Sequence, residues 1–99
     1  MIIIDQNIDQ IIALCKKHKV ASLFVFGSIL TENFKKSSVI DLLVDFSEVD
    51  LYDYADNYFD LKTSLEKVLK RQVDLLEDKA VKNPYLRKSI DSSKRLIYG

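Results

Sequence analysis

The sequence predicts an α/β (α+β) domain in which a small mixed β-sheet of three or more strands is flanked by helices. Apolar runs of strand length, rich in β-branched and aromatic residues, lie at residues 21–26, 39–46 and 72–77. Segments with helical spacing lie before, between and after these runs, which is typical of a layered domain of both element types. The 99 residues suffice for one hydrophobic core, so we expect a single domain over residues 1–99.

Two longer helices are predicted from apolar stripes. Residues 5–19 repeat isoleucine and cysteine at helical spacing, and Asp5 or Asn7 is suited to cap the first turn. Residues 53–70 carry the clearest amphipathic pattern of the chain, with aromatic and aliphatic side chains on one face and charges elsewhere. Each helix therefore has a face to bury against the predicted sheet.

Two shorter helices and an apolar tail complete the prediction. Gly27 permits a turn after the first strand, and Ser28 is expected to cap a short helix through about residue 34. Proline favours the first turn of a helix, so a last helix is expected over residues 84–93. The apolar tail at residues 96–98 is expected to dock onto the domain.

Composition limits the partners that this domain can bind through bulk properties. Fifteen basic residues balance fifteen acidic ones, so no global field would draw the chain onto nucleic acid or an anionic membrane. The single cysteine excludes an internal disulfide and fits a reducing compartment, and no apolar stretch approaches the roughly 20 residues of a membrane span. We expect a cytoplasmic protein without direct nucleic-acid binding, of a size at which homo-oligomers are common.

Strand alternation brings two acidic residues to one candidate site. On the second strand Asp41 shares a face with residues 39, 43 and 45, and on the third strand Asp74 shares a face with residues 72 and 76. If these strands are neighbours, both carboxylates point into one cleft above the Gly27-Ser28 turn. Mg²⁺ prefers such hard oxygen ligands, with water and substrate phosphates in its remaining positions.

Each part of this pattern also has an ordinary structural interpretation. Gly27-Ser28 alone is typical of a turn with a helix cap, and each aspartate alone could be a solvated residue on a sheet. The combination favours a shared site, because a charge kept inside a hydrophobic strand requires a partner. Cys15 and His18 lie three residues apart, but two candidate ligands do not make a zinc site.

The combined motifs resemble the minimal nucleotidyltransferases, small members of the DNA polymerase β-like superfamily that act as antitoxin-type partners of HEPN-domain proteins. The resemblance covers nearly the whole chain and rests on Gly27-Ser28, on Asp41 in the second strand and on Asp74 in the third. It implies a nucleotidyltransferase fold and Mg²⁺-dependent transfer of a nucleoside monophosphate from an NTP, ATP in the first instance, to a hydroxyl. It also implies Asp41 and Asp74 as catalytic and metal ligands, and Gly27 and Ser28 as nucleotide-binding residues.

The chain departs from the family pattern at Val39, where the family carries the first aspartate of Asp-x-Asp. Valine removes one oxygen ligand and one negative charge from the metal site. Asp45 shares the face of Asp41 but lies four residues along the strand, about 13 Å away, which is too far to coordinate the same ion. We therefore expect weakened metal binding and turnover.

Three functions are compatible with this incomplete site. The chain is a working transferase that modifies a HEPN toxin partner, a catalytically inactive antitoxin-like binding subunit, or a sensor that binds nucleotide without turnover. Val39 favours the second over the first, whereas Asp41, Asp74 and Gly27-Ser28 argue against complete decay. Enzymatic activity stays open at this point.

Overall fold

The structure, a computed structural model that describes residues 2–99, confirms a small mixed sheet flanked by helices. It has four helices and four strands, and two 3₁₀ turns follow β1 and β3. In chain order the elements are α1 (Ile2–Gln6), α2 (Ile8–Lys17), β1 (Val20–Phe26), a 3₁₀ turn (Gly27–Leu30), β2 (Ile40–Phe46), α3 (Tyr54–Leu69), β3 (Val73–Glu77), a second 3₁₀ turn (Asp78–Ala80), α4 (Pro84–Ser93) and β4 (Arg95–Tyr98).

The sheet has the strand order β3-β2-β1-β4. β1 pairs antiparallel with β2 on one side and with β4 on the other, whereas β2 and β3 run parallel. A parallel pair requires a crossover connection, and α3 supplies it. The second and third strands are thus neighbours, which is the condition that the sequence argument set for a shared site.

The main core lies between one face of the sheet and the helices α2 and α3. Strand positions of one parity point into it, and α3 contributes one residue per turn from its apolar stripe. Burial of this surface is the main source of stability in a domain of this size. The fully buried members include Leu23, Val25, Ile40, Leu42, Val44, Leu61, Leu65 and Val73.

The opposite face of the sheet is only partly covered. Phe26, Leu43 and Ile90 form a small second cluster there, because α4 packs Ile90 against strands β1 and β2. Leu43 is 1% exposed, whereas its strand neighbours Asp41 and Asp45 on the same face are only half-buried. The covering helix thus leaves both ends of this face open.

Three predicted details are wrong or incomplete. The first helix is divided, because the backbone leaves helical geometry at Asn7 (φ −116°, ψ 12°), whose side chain donates to the Ile3 carbonyl at 2.7 Å instead of capping α2. Ser28 caps no helix: the predicted segment to residue 34 is a single 3₁₀ turn over Gly27–Leu30, without a side-chain cap. The apolar tail docks as a fourth strand, β4.

The start of α4 agrees with its sequence prediction. The Asn83 side-chain oxygen accepts hydrogen bonds from the backbone N–H groups of Tyr85 and Leu86, and Pro84 occupies the first turn. Within residues 2–99, no helix is both long and apolar enough to cross a bilayer.

Candidate active site

The structure pairs the two predicted carboxylates directly. In the parallel register of β2 and β3, Asp41 lies opposite Asp74, one step after the first pair, Ile40 and Val73. Paired residues of neighbouring strands share a face at a strand spacing of about 4.8 Å. The two aspartates therefore lie side by side near the amino-terminal ends of their strands, on the face that α4 covers incompletely.

Gly27 lies against Asp41. Phe26 pairs with Asp41 across β1 and β2, so the chain passes the carboxylate as it leaves β1. Gly27 has φ +82°, and a Cβ atom built at this position would lie 2.3 Å from Asp41 Oδ2. A side chain at position 27 would thus require both a strained backbone and displacement of the carboxylate, so glycine is required here.

Ser28 follows Gly27 in the same 3₁₀ turn. Its carbonyl accepts from the Thr31 backbone N–H at 2.9 Å and from the Thr31 hydroxyl at 2.8 Å. The Ser28 hydroxyl has no hydrogen-bond partner among residues 2–99. All four predicted site residues are therefore brought to one end of the sheet, and the Ser28 hydroxyl is available to a ligand.

The aspartate pair has no internal charge compensation. Within the described chain, neither Asp41 nor Asp74 forms an ion pair with a cationic side chain. Partial burial raises the pKa of Asp41 above its usual range, and the neighbouring Asp74 carboxylate raises it further. Two adjacent carboxylates held without a cation form an attractive site for one.

The cleft beside the pair includes Val39. Asp41, Asp74 and Val39 line it together with Lys62 of α3 and with Gln72 and Val73 at the start of β3. The side chain that stands in place of the family's first aspartate thus faces the cleft, as strand parity predicted. It brings methyl groups where the family motif has carboxylate oxygens.

The donor set fits one hard cation. Two carboxylates are enough to hold Mg²⁺ when water and substrate phosphates complete the octahedron. A third ligand is lacking, since residues 2–99 contain no group of three or more His, Cys, Asp or Glu side chains placed to bind a metal. The residues present therefore match a single Mg²⁺ and do not match the carboxylate set of a two-metal centre.

Sequence reasoning missed several residues near this site. Lys62 lies on the polar side of an amphipathic helix, where a charged residue is ordinary, so nothing in the sequence marked it. Lys94 and Arg95 lie close to Gly27 only because α4 and β4 return the chain to β1. Their proximity depends on the fourth strand, which was not predicted.

A mixed sheet with two carboxylates beside a glycine-serine turn defines the nucleotidyltransferase class. Residues 9–99 match the family described as "Polymerase beta, Nucleotidyltransferase". The chain belongs to this family, and its similarity to solved structures places it with the minimal nucleotidyltransferases.

Particular proteins are similar to this chain in sequence or in fold. The "Putative protein adenylyltransferase MJ1379" of Methanocaldococcus jannaschii is 39% identical over 82 residues, which cover 83% of this chain and 79% of the relative. The solved "Structure of putative minimal nucleotidyltransferase" has a TM-score of 0.76 at 26% identity, over 93% of this chain and 90% of that one. A Shewanella oneidensis structure, "tri-AMPylated … HEPN toxin in complex with MNT antitoxin", has a TM-score of 0.65 at 20% identity, over 96% and 71%.

Proposed function

We propose that this chain is a Mg²⁺-dependent nucleotidyltransferase that moves AMP from ATP onto a hydroxyl of a HEPN-domain partner, with activity weakened by Val39. The observation that carries the proposal is the uncompensated Asp41–Asp74 pair beside Gly27. The name of the Methanocaldococcus relative supports protein adenylylation, and the Shewanella complex supports a HEPN toxin as acceptor.

The roles of the four residues follow from their chemistry. Asp41 and Asp74 would hold the metal, which when bound would neutralise charge on the nucleotide phosphates. Gly27 lets the phosphates approach the backbone, and Ser28 donates its hydroxyl to a phosphate oxygen. The acceptor oxygen attacks the α-phosphorus, the α–β phosphoanhydride bond breaks, and pyrophosphate leaves. Asp74, the more exposed aspartate, accepts the hydroxyl proton.

Val39 limits the rate of this reaction. Removing one preorganised electrostatic contact from an active site typically lowers the rate by about 100- to 1,000-fold. We expect Mg²⁺ affinity and turnover to fall together, because valine supplies neither the oxygen ligand nor the negative charge of the aspartate it replaces. The site then keeps a slow turnover, since Asp41 and Asp74 are both present.

The test is a label-transfer assay with ATP labelled at the α-phosphate, Mg²⁺ and a purified HEPN-domain protein. Val39→Asp is expected to raise labelling by about 100-fold or more, and Val39→Ala, the matched control, to leave it near wild type. A label that stays on nucleotide with every variant would contradict the proposed transfer. Equal labelling by wild type and Val39→Asp would contradict the metal-ligand argument alone.

An antitoxin-like binding subunit is the second candidate, and an exposed surface favours it. Leu51 and Tyr52, in the loop before α3, are 87% and 94% exposed, and Phe59 on α3 is 59% exposed. The hydroxyls of the nearby Tyr54 and Tyr58, in contrast, donate to the Glu77 carboxylate and to the Leu75 carbonyl. Exposed aromatic residues of this kind are enriched at interface cores.

The surface is also acidic. Between Lys36 and Lys62 the chain has no basic residue, whereas Glu48, Asp50 and Asp53 surround the exposed pair in sequence. The double variant Leu51→Ser/Tyr52→Ser is expected to weaken binding of a HEPN protein at least tenfold, while Tyr85→Ser, equally exposed on α4, leaves it unchanged. Calorimetry with ATP and Mg²⁺ tests the third candidate, since a nucleotide sensor must bind ATP and a pure binding subunit must not.

A further inference from the structure

The segment between the first 3₁₀ turn and β2 leads the chain to the aspartate pair. Residues 31–39 form neither helix nor strand, and residues 35–37 are exposed. Val39, the last residue before β2, lines the cleft that Asp41 and Asp74 also line. Connecting segments are more mobile than the elements they join, so the position of residue 39 depends on what holds this segment in place.

Part of the segment closes into a turn over residues 35–38. The Ser38 backbone N–H donates to the Lys35 carbonyl at 3.0 Å, and the Ser38 hydroxyl accepts from the Lys35 backbone N–H, also at 3.0 Å. Because the two ends of the turn are bonded to each other, a contact that anchors one end also restrains the other.

Arg71, just before β3, anchors this turn. Its Nη1 donates to the Lys35 carbonyl at 2.6 Å and to the Ser38 carbonyl at 3.1 Å. Its guanidinium carbon lies 4.3 Å from the centre of the Phe34 ring, within the range of cation–π contacts. The Ser38 carbonyl belongs to the planar peptide group that joins Ser38 to Val39, so one of these hydrogen bonds restrains residue 39 directly.

The backbone on both sides of Arg71 is itself fixed. The Arg71 N–H donates to the Glu66 carbonyl in the last turn of α3 at 3.3 Å, and the Gln72 carbonyl accepts from the Ile40 N–H at 3.0 Å. The Glu66 side chain also accepts from the Val73 N–H at 3.0 Å. Arg71 therefore extends from a rigid part of the domain, the end of α3 and the start of β3, to an irregular one.

The guanidinium of Arg71 forms no ion pair with a carboxylate in the described part of the chain. Its observed partners are two backbone carbonyls and one aromatic ring, all from residues 34–38. Charge-assisted hydrogen bonds of this kind are stronger than neutral ones. The contacts of Arg71 thus serve to hold this segment, and not to compensate a negative charge.

We propose that Arg71 is a positioning residue for residue 39, whose side chain it holds in the cleft beside Asp41 and Asp74 through the Lys35 and Ser38 carbonyls. This inference rests on the proposed transferase function, because the exact place of residue 39 matters only where that residue takes part in metal binding. Groups that orient metal ligands without touching the metal commonly affect metal affinity. Arg71 then decides whether a carboxylate restored at position 39 is held where the cation needs it.

The experiment is a double-mutant cycle on Mn²⁺ affinity, measured on the full chain from the EPR signal of free Mn²⁺. Val39→Asp is expected to tighten Mn²⁺ binding about tenfold or more, because it adds a charged oxygen ligand. Arg71→Met keeps an apolar side chain against Phe34 but loses the donors, and it is expected to weaken binding about tenfold in the Val39→Asp chain. In the Val39 chain the same change should alter affinity less than about twofold. Lys70→Met, an equal change of charge at the exposed neighbouring position, is the control and should leave the gain intact.

Limited digestion with trypsin measures the hold on the turn without any metal. In Arg71→Met, cleavage after Lys35 and Lys36 is expected to become about fivefold faster or more, whereas cleavage after the exposed Lys82 should not change. Arg71→Lys is expected to recover part of the protection and part of the Mn²⁺ affinity, because it keeps the charge but lacks the planar fork of donors. This variant also keeps the test decisive if Arg71→Met does not fold.

The outcomes separate this inference from the proposed function. Equal loss of Mn²⁺ affinity on Arg71→Met in the Val39 and Val39→Asp chains, or no loss in either, would overturn the positioning role even if label transfer is observed. The absence of any gain from Val39→Asp would overturn it as well. A gain from Val39→Asp that depends on Arg71, without label transfer by any variant, would support the positioning role and contradict the transferase proposal.

Discussion

The carboxylates at the two ends of the parallel strand pair, β2 and β3, have different surroundings. At the amino-terminal end, Asp41 and Asp74 lie side by side without a cationic partner in the described chain. At the carboxyl-terminal end, Asp45 faces Lys79 at 3.6 Å and the Glu77 carboxylate accepts the Tyr54 hydroxyl. Charges with internal partners serve the fold, whereas an adjacent pair without partners costs stability and is a candidate ligand site.

At the carboxyl-terminal end of the strand pair, Tyr54 donates its hydroxyl to the Glu77 carboxylate. Burial, reinforced by the hydrogen bond to Glu77, raises the pKa of Tyr54 to about 12, so the phenol stays protonated and continues to donate. At Asp41, burial and then the neighbouring Asp74 carboxylate raise the pKa of the carboxyl group itself. The same strands thus carry one structural and one candidate functional carboxylate pair.

The largest expected difference between the two ends concerns nucleotide transfer. Asp41→Asn is expected to lower Mg²⁺-dependent labelling by at least about 100-fold, whereas Asp45→Asn, on the same face of β2, should change it less than about threefold. The measurement is made in the Val39→Asp background, where the signal is strongest. Similar losses in both variants would remove the functional distinction between the ends. The urea midpoint of Asp41→Asn should not fall, because a repelling charge is removed.

Gly27 provides the next test of the amino-terminal end, where Asp41 and Asp74 have no cationic partner in the described chain. Gly27→Ala is expected to destabilise the domain by about 1–3 kcal/mol, since alanine disfavours the left-handed region and its Cβ meets Asp41. Ser28→Ala should change the free energy of unfolding by less than about 0.5 kcal/mol, because the hydroxyl makes no contact that the fold needs. Urea denaturation checks both values. A neutral Gly27→Ala would mean that the turn does not press against Asp41.

Smaller effects on stability are expected at the carboxyl-terminal end of the strand pair, where Asp45 and Glu77 have internal partners. Tyr54→Phe should cost about 1 kcal/mol of unfolding free energy, because it removes a hydrogen bond to a partly buried carboxylate. Lys79→Ala should cost less than about 0.5 kcal/mol, since the lysine is 80% exposed and its ion pair is screened. Neither change should alter label transfer. A loss of transfer in either variant would show that this end also takes part in function.

Local sequence signals predicted most of the fold and placed the aspartate pair. Strand alternation assigned Asp41 and Asp74 to one face, and the structure sets them in register. The Asn83-Pro84 start of α4 was predictable because capping and proline geometry are local. These features require only neighbours in sequence or the assumption that two strands are adjacent.

Features that depend on distant parts of the chain were not predictable. The division of the first helix at Asn7 depends on how Ile4 and Ile11 both reach the core, which the helical stripe alone does not reveal. The tail became a strand because β1 had a free edge, and this pairing alone brings Arg95 near Gly27. The proximity of Arg95 to Gly27 is therefore a property of the tertiary structure.

The most direct test of the uncompensated pair is a titration of the isotope-labelled chain with Mn²⁺, followed by paramagnetic broadening of its NMR signals. At substoichiometric Mn²⁺ the account predicts the strongest broadening at the Asp41, Asp74 and Gly27 resonances, much weaker broadening at Asp45 and Glu77, and reversal by excess Mg²⁺. Broadening centred on Asp45 and Glu77, or uniform broadening without a centre, would contradict it.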